Sequence, residues 1–168
     1  MRPDAEHKRL GPQAVRCFVL TVSDTRTEET DTGGRAIADL LATHGHTVTG
    51  RAIVKDEPTL VIANITAQKQ AGDAQVIITT GGTGITSRDG TYEAVSSLLD
   101  KELPGFGELF RMLSYEQIGA AAMMSRATAG LSGRAIVISL PGSEAAVRLA
   151  MEKLVLPELG HLVQQATR

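Results

Sequence analysis

At 168 residues, with 42% apolar and 21% charged residues, the chain is long enough for one domain with a substantial core. Its net charge of −2 and its 3% of aromatic residues, with no tryptophan, argue against a nucleic-acid-binding surface. The single cysteine, Cys17, excludes an intrachain disulfide and fits a reducing cytoplasm, and we expect its thiol to be buried and inert.

The N-terminal residues contain no apolar stretch that would resemble a secretory signal. We therefore predict a solvated, flexible arm over residues 1–13, followed by a single domain over residues 14–168. No segment approaches the roughly 20 apolar residues of a membrane span, so we expect no membrane association.

Apolar strands alternate with amphipathic helices along the rest of the chain. The predicted strands are residues 15–22, 47–54, 75–80 and 134–140. The predicted helices cover residues 32–44, the segment after Pro58, the segments around Val95 and Leu109, and a last helix that Pro157 interrupts. Residues 125–133 are small and turn-rich and predict either a hairpin or an irregular excursion. This alternation predicts a three-layer α/β/α fold with a mostly parallel central sheet.

A glycine-rich segment, residues 81–84, directly follows the third predicted strand. Its three glycines, Gly81, Gly82 and Gly84, allow backbone N–H groups to approach a ligand closely, and successive N–H groups of this kind form a nest for phosphate. The segment matches neither the P-loop nor the dinucleotide-binding pattern, and it could also be a tight turn between a strand and a helix.

Three aspartates, Asp24, Asp56 and Asp89, each lie shortly after a predicted strand. Because the carboxyl ends of parallel strands meet at one edge of a sheet, we expect these carboxylates to gather around the glycine-rich segment. Such an arrangement suits Mg²⁺, although each aspartate could equally serve as a turn or cap residue. Asp31 most simply begins the first helix.

Two further segments are candidates for ligand contacts. Residues 141–143, Pro141-Gly142-Ser143, follow a strand and could hold an anion, or Ser143 could simply cap a helix. Residues 104–108 suggest a shaped loop between helices with Glu108 as a polar contact, or a helix corner with Phe106 in the core. The histidines show no spacing typical of metal ligands.

Several of these motifs together resemble the MoaB/MogA family of molybdenum cofactor biosynthesis proteins, which is also similar to the G domain of gephyrin. The resemblance extends from about Val15 to Leu159 and lies closer to MoaB than to MogA. The motifs that carry it are residues 21–24, 31–34, 54–57, 79–84 with Asp89, 104–108, 110–114, 125–127 and 140–143.

The resemblance implies Mg-ATP-dependent adenylylation of molybdopterin, with release of pyrophosphate, in a cytoplasmic trimer or hexamer. It implies that Asp56 and Asp89 are the essential acidic pair and the Mg²⁺ ligands, with ATP as co-substrate. It also implies that the product passes to a separate metal-insertion protein. Arg88 follows Ser87 here, where MogA-type proteins have two arginines.

Under this hypothesis the remaining candidates divide into two groups. The expected nucleotide and phosphate contacts are Gly81, Gly82, Thr83, Gly84, Pro141, Gly142 and Ser143. The expected substrate contacts are Ser23, Asp24, Asp31, Ser87, Gly105, Phe106, Gly107 and Glu108. Two alternatives remain open: a non-catalytic molybdopterin-binding or scaffold paralogue, and a nucleotide hydrolase similar to CinA.

Overall fold

The computed structural model describes residues 11–168, which form one sheet with helices packed on both faces. The strands are β1 (Arg16–Val22), β2 (Thr47–Val54), β3 (Val76–Thr80), β4 (Lys101–Glu102), β5 (Thr128–Ser132) and β6 (Ala135–Leu140). The helices are α1 (Thr32–Thr43), α2 (Pro58–Ala71), α3 (Thr91–Leu98), α4 (Pro104–Ile118), α5 (Glu144–Ala150) and α6 (Leu156–Ala166). A 3₁₀ helix, Gly119–Met124, follows α4, and a π-helical turn, Met151–Val155, joins α5 to α6.

The six strands are ordered β2-β1-β3-β6-β5-β4 across the sheet. The pairs β1–β2, β1–β3 and β3–β6 are parallel, whereas β5 runs antiparallel to both β6 and β4. The predicted α/β/α architecture with a mostly parallel sheet is confirmed, and all four predicted strands are present.

Side chains along β1 point alternately into two hydrophobic cores, one on each face of the sheet. Cys17 and Val19 belong to the core that includes residues of α1, α4, α5 and α6. Phe18 and Leu20 belong to the core that includes residues of α2 and α3. Because β1 is buried on both faces, its sequence is a continuous apolar run rather than an alternating one.

The segment over residues 125–133 contains β5, which forms a hairpin with β6. Of the two predicted alternatives, the hairpin is therefore confirmed. Gly133 makes the turn with a φ of 63°, a conformation that glycine adopts without the penalty of a Cβ atom. The short edge strand β4 was not predicted, because two exposed residues carry no pattern that distinguishes a strand from a loop.

Pro157 interrupts the last helix, as predicted. It lies in the first turn of α6, directly after the π-helical turn. Proline has no N–H group to donate to the preceding turn, and a π turn is a known way to accommodate such a missing hydrogen bond within a helix.

Residues 1–10 of the predicted arm lie outside the described residues. Gly11 and Pro12 lie against Gly160 of α6: a Cβ atom at Gly11 would come within 2.6 Å of the Gly160 carbonyl oxygen. Within residues 11–168, no helix is both long enough and apolar enough to cross a membrane.

Cys17 provides a test of the core. Its side chain is 0% exposed, and burial raises the pKa of its thiol to about 12. We expect a thiol-specific reagent at about pH 8 to leave the folded protein unmodified and to react fully once guanidinium unfolds the chain. The absorbance of the released chromophore measures both states, and rapid labelling of the folded protein would contradict this packing.

Candidate functional site

A cleft of about 390 Å³ lies at the carboxyl ends of β1, β3 and β6. This is the edge at which parallel α/β sheets bind ligands. Six predicted site residues line the cleft: Ser23, Asp31, Gly81, Gly82, Gly142 and Ser143. Thr21, Val22, Arg26, Gly33 and Thr80 complete the lining and were not predicted.

Gly81 and Gly82 adopt backbone conformations that other residues rarely adopt, with φ values of 97° and 68°. A Cβ atom at Gly81 would lie 2.2 Å from the Val22 carbonyl oxygen. One at Gly82 would lie 2.1 Å from Thr91 Oγ1 and 2.7 Å from Asp56 Oδ2. The glycines therefore permit a close approach between β1, the loop before α2 and the start of α3.

The Gly81 N–H donates to the Leu140 carbonyl oxygen at 3.0 Å, which ties the loop to β6. The expectation that this N–H group is free for phosphate is wrong, because β6 already uses it. Thr83 and Gly84 continue the loop beyond the cleft lining. Any nest for phosphate in this segment therefore depends on the amides that follow Gly81.

Asp56 is 7% exposed and lies at the back of the loop. Its Oδ1 accepts the Gly90 N–H at 3.2 Å, and its own N–H donates to Asp24 Oδ1 at 3.1 Å. Burial raises the pKa of the Asp56 carboxyl, and the negative charges of Asp89 and Asp24 add to that rise, whereas the Gly90 amide and Arg88 oppose it.

Asp24 forms a two-point ion pair with Arg88, whose Nε and Nη2 lie 3.1 and 3.0 Å from its carboxylate oxygens. This bond holds the pKa of Asp24 below its usual range. Arg88 and the Asp56 N–H engage both oxygens of Asp24, which is absent from the cleft lining, so its predicted contact with substrate stays a prediction. Its contacts position the loop that contains Asp56.

Asp89 lies at the far end of the glycine-rich loop. Its Oδ2 accepts hydrogen bonds from the Thr86 hydroxyl at 2.7 Å and the Thr86 N–H at 2.9 Å. The hydroxyl bond is the main cause that lowers the pKa of Asp89, with the charge of Arg126 adding to it. The pKa values of Asp56 and Asp89 are therefore shifted in opposite directions.

The donor set can be compared with the needs of a metal ion. Within residues 11–168, no three His, Cys, Asp or Glu side chains are arranged to hold a metal together. The three predicted carboxylates do lie near one another, since the charges of Asp24 and Asp89 both act on the Asp56 carboxyl, but Asp24 is paired with Arg88. A cation held among them stays a prediction. Asp56 and Asp89 fit Mg²⁺, which commonly binds through one or two carboxylates and keeps several waters or substrate phosphate oxygens.

Asp31 caps the N-terminus of α1, as the simpler interpretation predicted. It is 3% exposed and accepts hydrogen bonds from the Gly34 N–H at 2.9 Å and from Thr21 Oγ1 at 2.7 Å. Arg51 Nη2 lies 3.0 Å from its Oδ2. These contacts make Asp31 a structural part of the cleft wall.

Residues 141–143 form the opposite wall of the cleft. Thr80 Oγ1 donates to the Pro141 carbonyl oxygen at 2.8 Å, and a Cβ atom at Gly142 would lie 3.3 Å from Gly81 Cα. Ser143 Oγ accepts the Ala146 N–H at 3.3 Å and so caps α5. The predicted helix cap at Ser143 is confirmed, and because Ser143 also lines the cleft, its contact with an anion stays a prediction.

Of the two alternatives predicted for residues 104–108, the structure shows the helix corner and not the shaped loop, since these residues form the first turns of α4. Pro104 lies in the first turn of that helix, where its missing N–H costs nothing. Phe106 packs against the core, and a Cβ atom at Gly107 would lie 2.7 Å from the Ala127 carbonyl oxygen. Gly105, Phe106, Gly107 and Glu108 are absent from the cleft lining, as is the exposed Ser87.

Arg126 was not predicted as a site residue, yet it holds the glycine-rich loop in place. Its guanidinium donates to the carbonyl oxygens of Thr83 and Gly84 and pairs with Glu93. It also lies 5.0 Å from the centre of the Tyr92 ring. No local signal could have revealed this role, since 42 residues separate Arg126 from Gly84.

The mostly parallel sheet, with a cleft at the carboxyl ends of its strands, defines an α/β protein that binds a small molecule at that edge. Comparison with known proteins identifies the family. A family profile described as "Probable molybdopterin binding domain" matches residues 18–161. Molybdenum cofactor biosynthesis protein B of Bacillus cereus is 56% identical over 164 residues, which covers 97% of each chain.

Solved structures agree with this result. A crystal structure of molybdenum cofactor biosynthesis protein B superimposes with a TM-score of 0.91 at 56% identity, covering 94% of this chain and 98% of the other. The tungsten cofactor synthesizing protein MoaB from Pyrococcus furiosus has a TM-score of 0.84 at 38% identity, with coverages of 94% and 99%. The chain belongs to the MoaB/MogA family.

The crowding at Gly82 predicts a clear stability effect. We expect Gly82→Ala to lower the free energy of unfolding by about 2–5 kcal/mol, since left-handed strain adds to overlap with Thr91 and Asp56. Gly45→Ala is the matched control: φ there is 80°, but nothing lies within 4 Å of its Cβ position. Urea denaturation measures both, and equal losses would contradict the crowding at Gly82.

Proposed function

We propose that this chain acts in molybdenum cofactor biosynthesis as a molybdopterin adenylyltransferase in the cytoplasm. The observation that carries this proposal is the position of Asp56 beside Gly82 and of Asp89 beside Gly84, on a glycine-rich loop whose first two glycines line the cleft. The pKa values of these two carboxyls are shifted in opposite directions. Family membership supports it, because the relative from Bacillus cereus is named a molybdenum cofactor biosynthesis protein.

In the proposed reaction, a terminal phosphate oxygen of molybdopterin attacks the α-phosphorus of ATP. A new phosphoanhydride bond forms, the bond between the α- and β-phosphates breaks, and pyrophosphate leaves with the electron pair. The attacking phosphate is already ionised at neutral pH, so the reaction requires no general base. The task of the protein is to align two anions and to offset their repulsion.

The residues of the cleft have the chemistry for that alignment. The backbone amide of Gly82 in the cleft, and those of Thr83 and Gly84 just beyond its lining, would hold nucleotide phosphates. Gly142 and Ser143 would contact the nucleotide from the opposite wall. Arg26 lines the same cleft and adds a positive charge that favours phosphate groups. Ser23 lies at the end that we assign to the pterin.

Asp56 and Asp89 would hold Mg²⁺, which supplies charge neutralisation between the phosphates and at the leaving pyrophosphate. Asp56 is the buried member of the pair and is anchored by the Gly90 amide. Asp89 is kept ionised by Thr86, so the site retains a negative charge at neutral pH. Arg88 pairs with Asp24, which accepts the Asp56 N–H, and Arg126 donates to the Thr83 carbonyl oxygen in the loop that leads to Asp89.

This mechanism predicts the outcome of replacing Asp89. We expect Asp89→Asn to keep the fold and to lower pyrophosphate release from Mg-ATP and molybdopterin by about 100-fold or more, because the amide removes one of two anionic ligands. Asp39→Asn, an exposed change on α1, is the matched control and should leave turnover unchanged. A coupled pyrophosphate assay, with detection of the adenylylated pterin, measures both.

The same assay separates the alternatives. Turnover of Asp89→Asn at the wild-type rate would contradict the role of Asp89. Pterin binding by the wild-type protein without pyrophosphate release would identify a non-catalytic binding or scaffold paralogue. ATP consumption in the absence of pterin would identify a nucleotide hydrolase similar to CinA.

We also propose that the chain forms a homo-oligomer, a trimer or hexamer, and that its product passes to the metal-insertion protein of the pathway. The support for the oligomer is an exposed apolar face on α4 and the following 3₁₀ helix. Its members are large side chains that are 48–75% exposed: Leu109, Met112, Tyr115, Ile118, Met123 and Met124. Several large apolar side chains exposed on neighbouring elements mark a candidate site of protein association.

Charge placed on this face tests the assembly. We expect the double substitution Met112→Glu and Tyr115→Glu to convert the oligomer to monomers, since burying two carboxylates in an interface is unfavourable. Leu60→Glu, on α2 and 39% exposed in the wild type, is the control and should keep the native mass. Light scattering after size-exclusion chromatography measures each mass, and an unchanged oligomer in the double variant would exclude this face.

A further inference from the structure

A second cavity, of about 660 Å³, lies at the edge of the sheet opposite the cleft. Its walls come from the beginnings of β1, β3 and β6, the end of α2 and the turn between β5 and β6. Because β1, β3 and β6 are parallel, their amino ends meet at one edge of the sheet and their carboxyl ends at the other. This cavity therefore shares no lining residue with the candidate adenylyl-transfer site.

Three cationic side chains line this cavity: Arg16, Lys69 and Arg134. Its described lining residues include no aspartate or glutamate. Within residues 11–168, no ion pair joins any of the three to a carboxylate. The lining of this cavity is therefore positively charged, although the chain as a whole has a net charge of −2.

Lys69 is held in a fixed position at this cavity. It is half-buried, and its Nζ donates to Ser132 Oγ at 2.5 Å. Ser132 is 0% exposed and donates in turn to the Leu98 carbonyl oxygen at 2.6 Å. The ammonium group has three N–H donors, and its hydrogen bond to Ser132 uses one of them. Its position is therefore set before any ligand arrives, which lowers the entropic cost of binding.

Arg16 is also held by contacts of the protein. Its Nε donates to the Asp73 carbonyl oxygen at 2.7 Å, and its backbone N–H donates to Gln75 Oε1 at 3.1 Å. The nearby carboxylate of Asp100 accepts the Gly133 N–H at 2.6 Å, which positions the hairpin turn that precedes Arg134. The cations thus lie on three separate elements that converge on one space.

We propose that this basic cavity, lined by Arg16, Lys69 and Arg134, binds the phosphate group of a small molecule. Guanidinium and ammonium groups converging from several sides match the several acceptor oxygens of a phosphate dianion. Bound phosphate would offset the repulsion among the three cations. The site is independent of the proposed adenylyl transfer, since its binding can be measured with neither pterin nor ATP present.

The test is a titration of the deuterated full-length protein with inorganic phosphate at constant ionic strength, followed by ¹H–¹⁵N TROSY spectra. We expect saturable shifts at the amides of Gln75, Ser132 and Gly133. The double variant Lys69→Gln and Arg134→Gln should bind phosphate about tenfold or more weakly, since it loses two charge-assisted contacts. Parallel titrations with pyrophosphate and AMP show whether free phosphate or a phosphate ester binds more tightly.

Controls distinguish the cavity from a general effect of charge. Arg35→Gln with Arg148→Gln removes the same number of charges at exposed positions on α1 and α5 and should keep wild-type affinity. Arg134→Gln alone changes an exposed side chain and should weaken binding even if the Lys69 change disturbs folding. Shifts that do not saturate, that appear only at Gly82, Gly142 and Ser143, or that are equal in all variants would overturn the proposal.

Discussion

The close packing of the Gly81–Gly82 backbone against its neighbours is the constraint on which the cleft depends. At Gly81 the chain passes the Val22 carbonyl oxygen, and at Gly82 it passes Thr91 and Asp56, at distances that leave no room for a Cβ atom. Both residues also adopt left-handed conformations. Because no side chain intervenes, the end of β1, the loop before α2 and the start of α3 meet at one place, and a buried carboxylate lies directly beside a loop of backbone amides.

Long-range polar contacts then hold this arrangement in place. Arg88, which follows the glycine-rich segment, pairs with Asp24. Arg126, just before the β5–β6 hairpin, donates to the Thr83 carbonyl oxygen within that segment. Asp56 is the exception to this pattern of pairing, since burial raises the pKa of its carboxyl and the Gly90 amide provides its hydrogen bond. A buried carboxylate without a cationic side-chain partner is suited to a ligand that brings positive charge with it.

The parallel sheet separates two electrostatic environments. Acidic side chains and amide donors gather at the carboxyl ends of its strands, whereas Arg16, Lys69 and Arg134 gather near the amino ends. Neither group is contiguous in the sequence, and the register of β1, β3 and β6 brings each together. The small net charge of the chain is therefore the sum of two different local charge distributions, one at each edge of the sheet.

The sequence by itself determined the fold class, the four long strands, the interruption at Pro157 and the glycine-rich loop, because apolar runs, prolines and glycines act through local backbone preferences. It also placed Asp56 and Asp89 near that loop, since residues that follow parallel strands share an edge. Only the tertiary structure decided that Asp24 pairs with Arg88, that Arg126 secures the loop, and that residues 104–108 begin a helix rather than form a binding loop. The pairing of Asp24 with Arg88 and the contact of Arg126 with Gly84 join segments that lie 64 and 42 residues apart. The local pattern of residues does not specify which distant group becomes the partner.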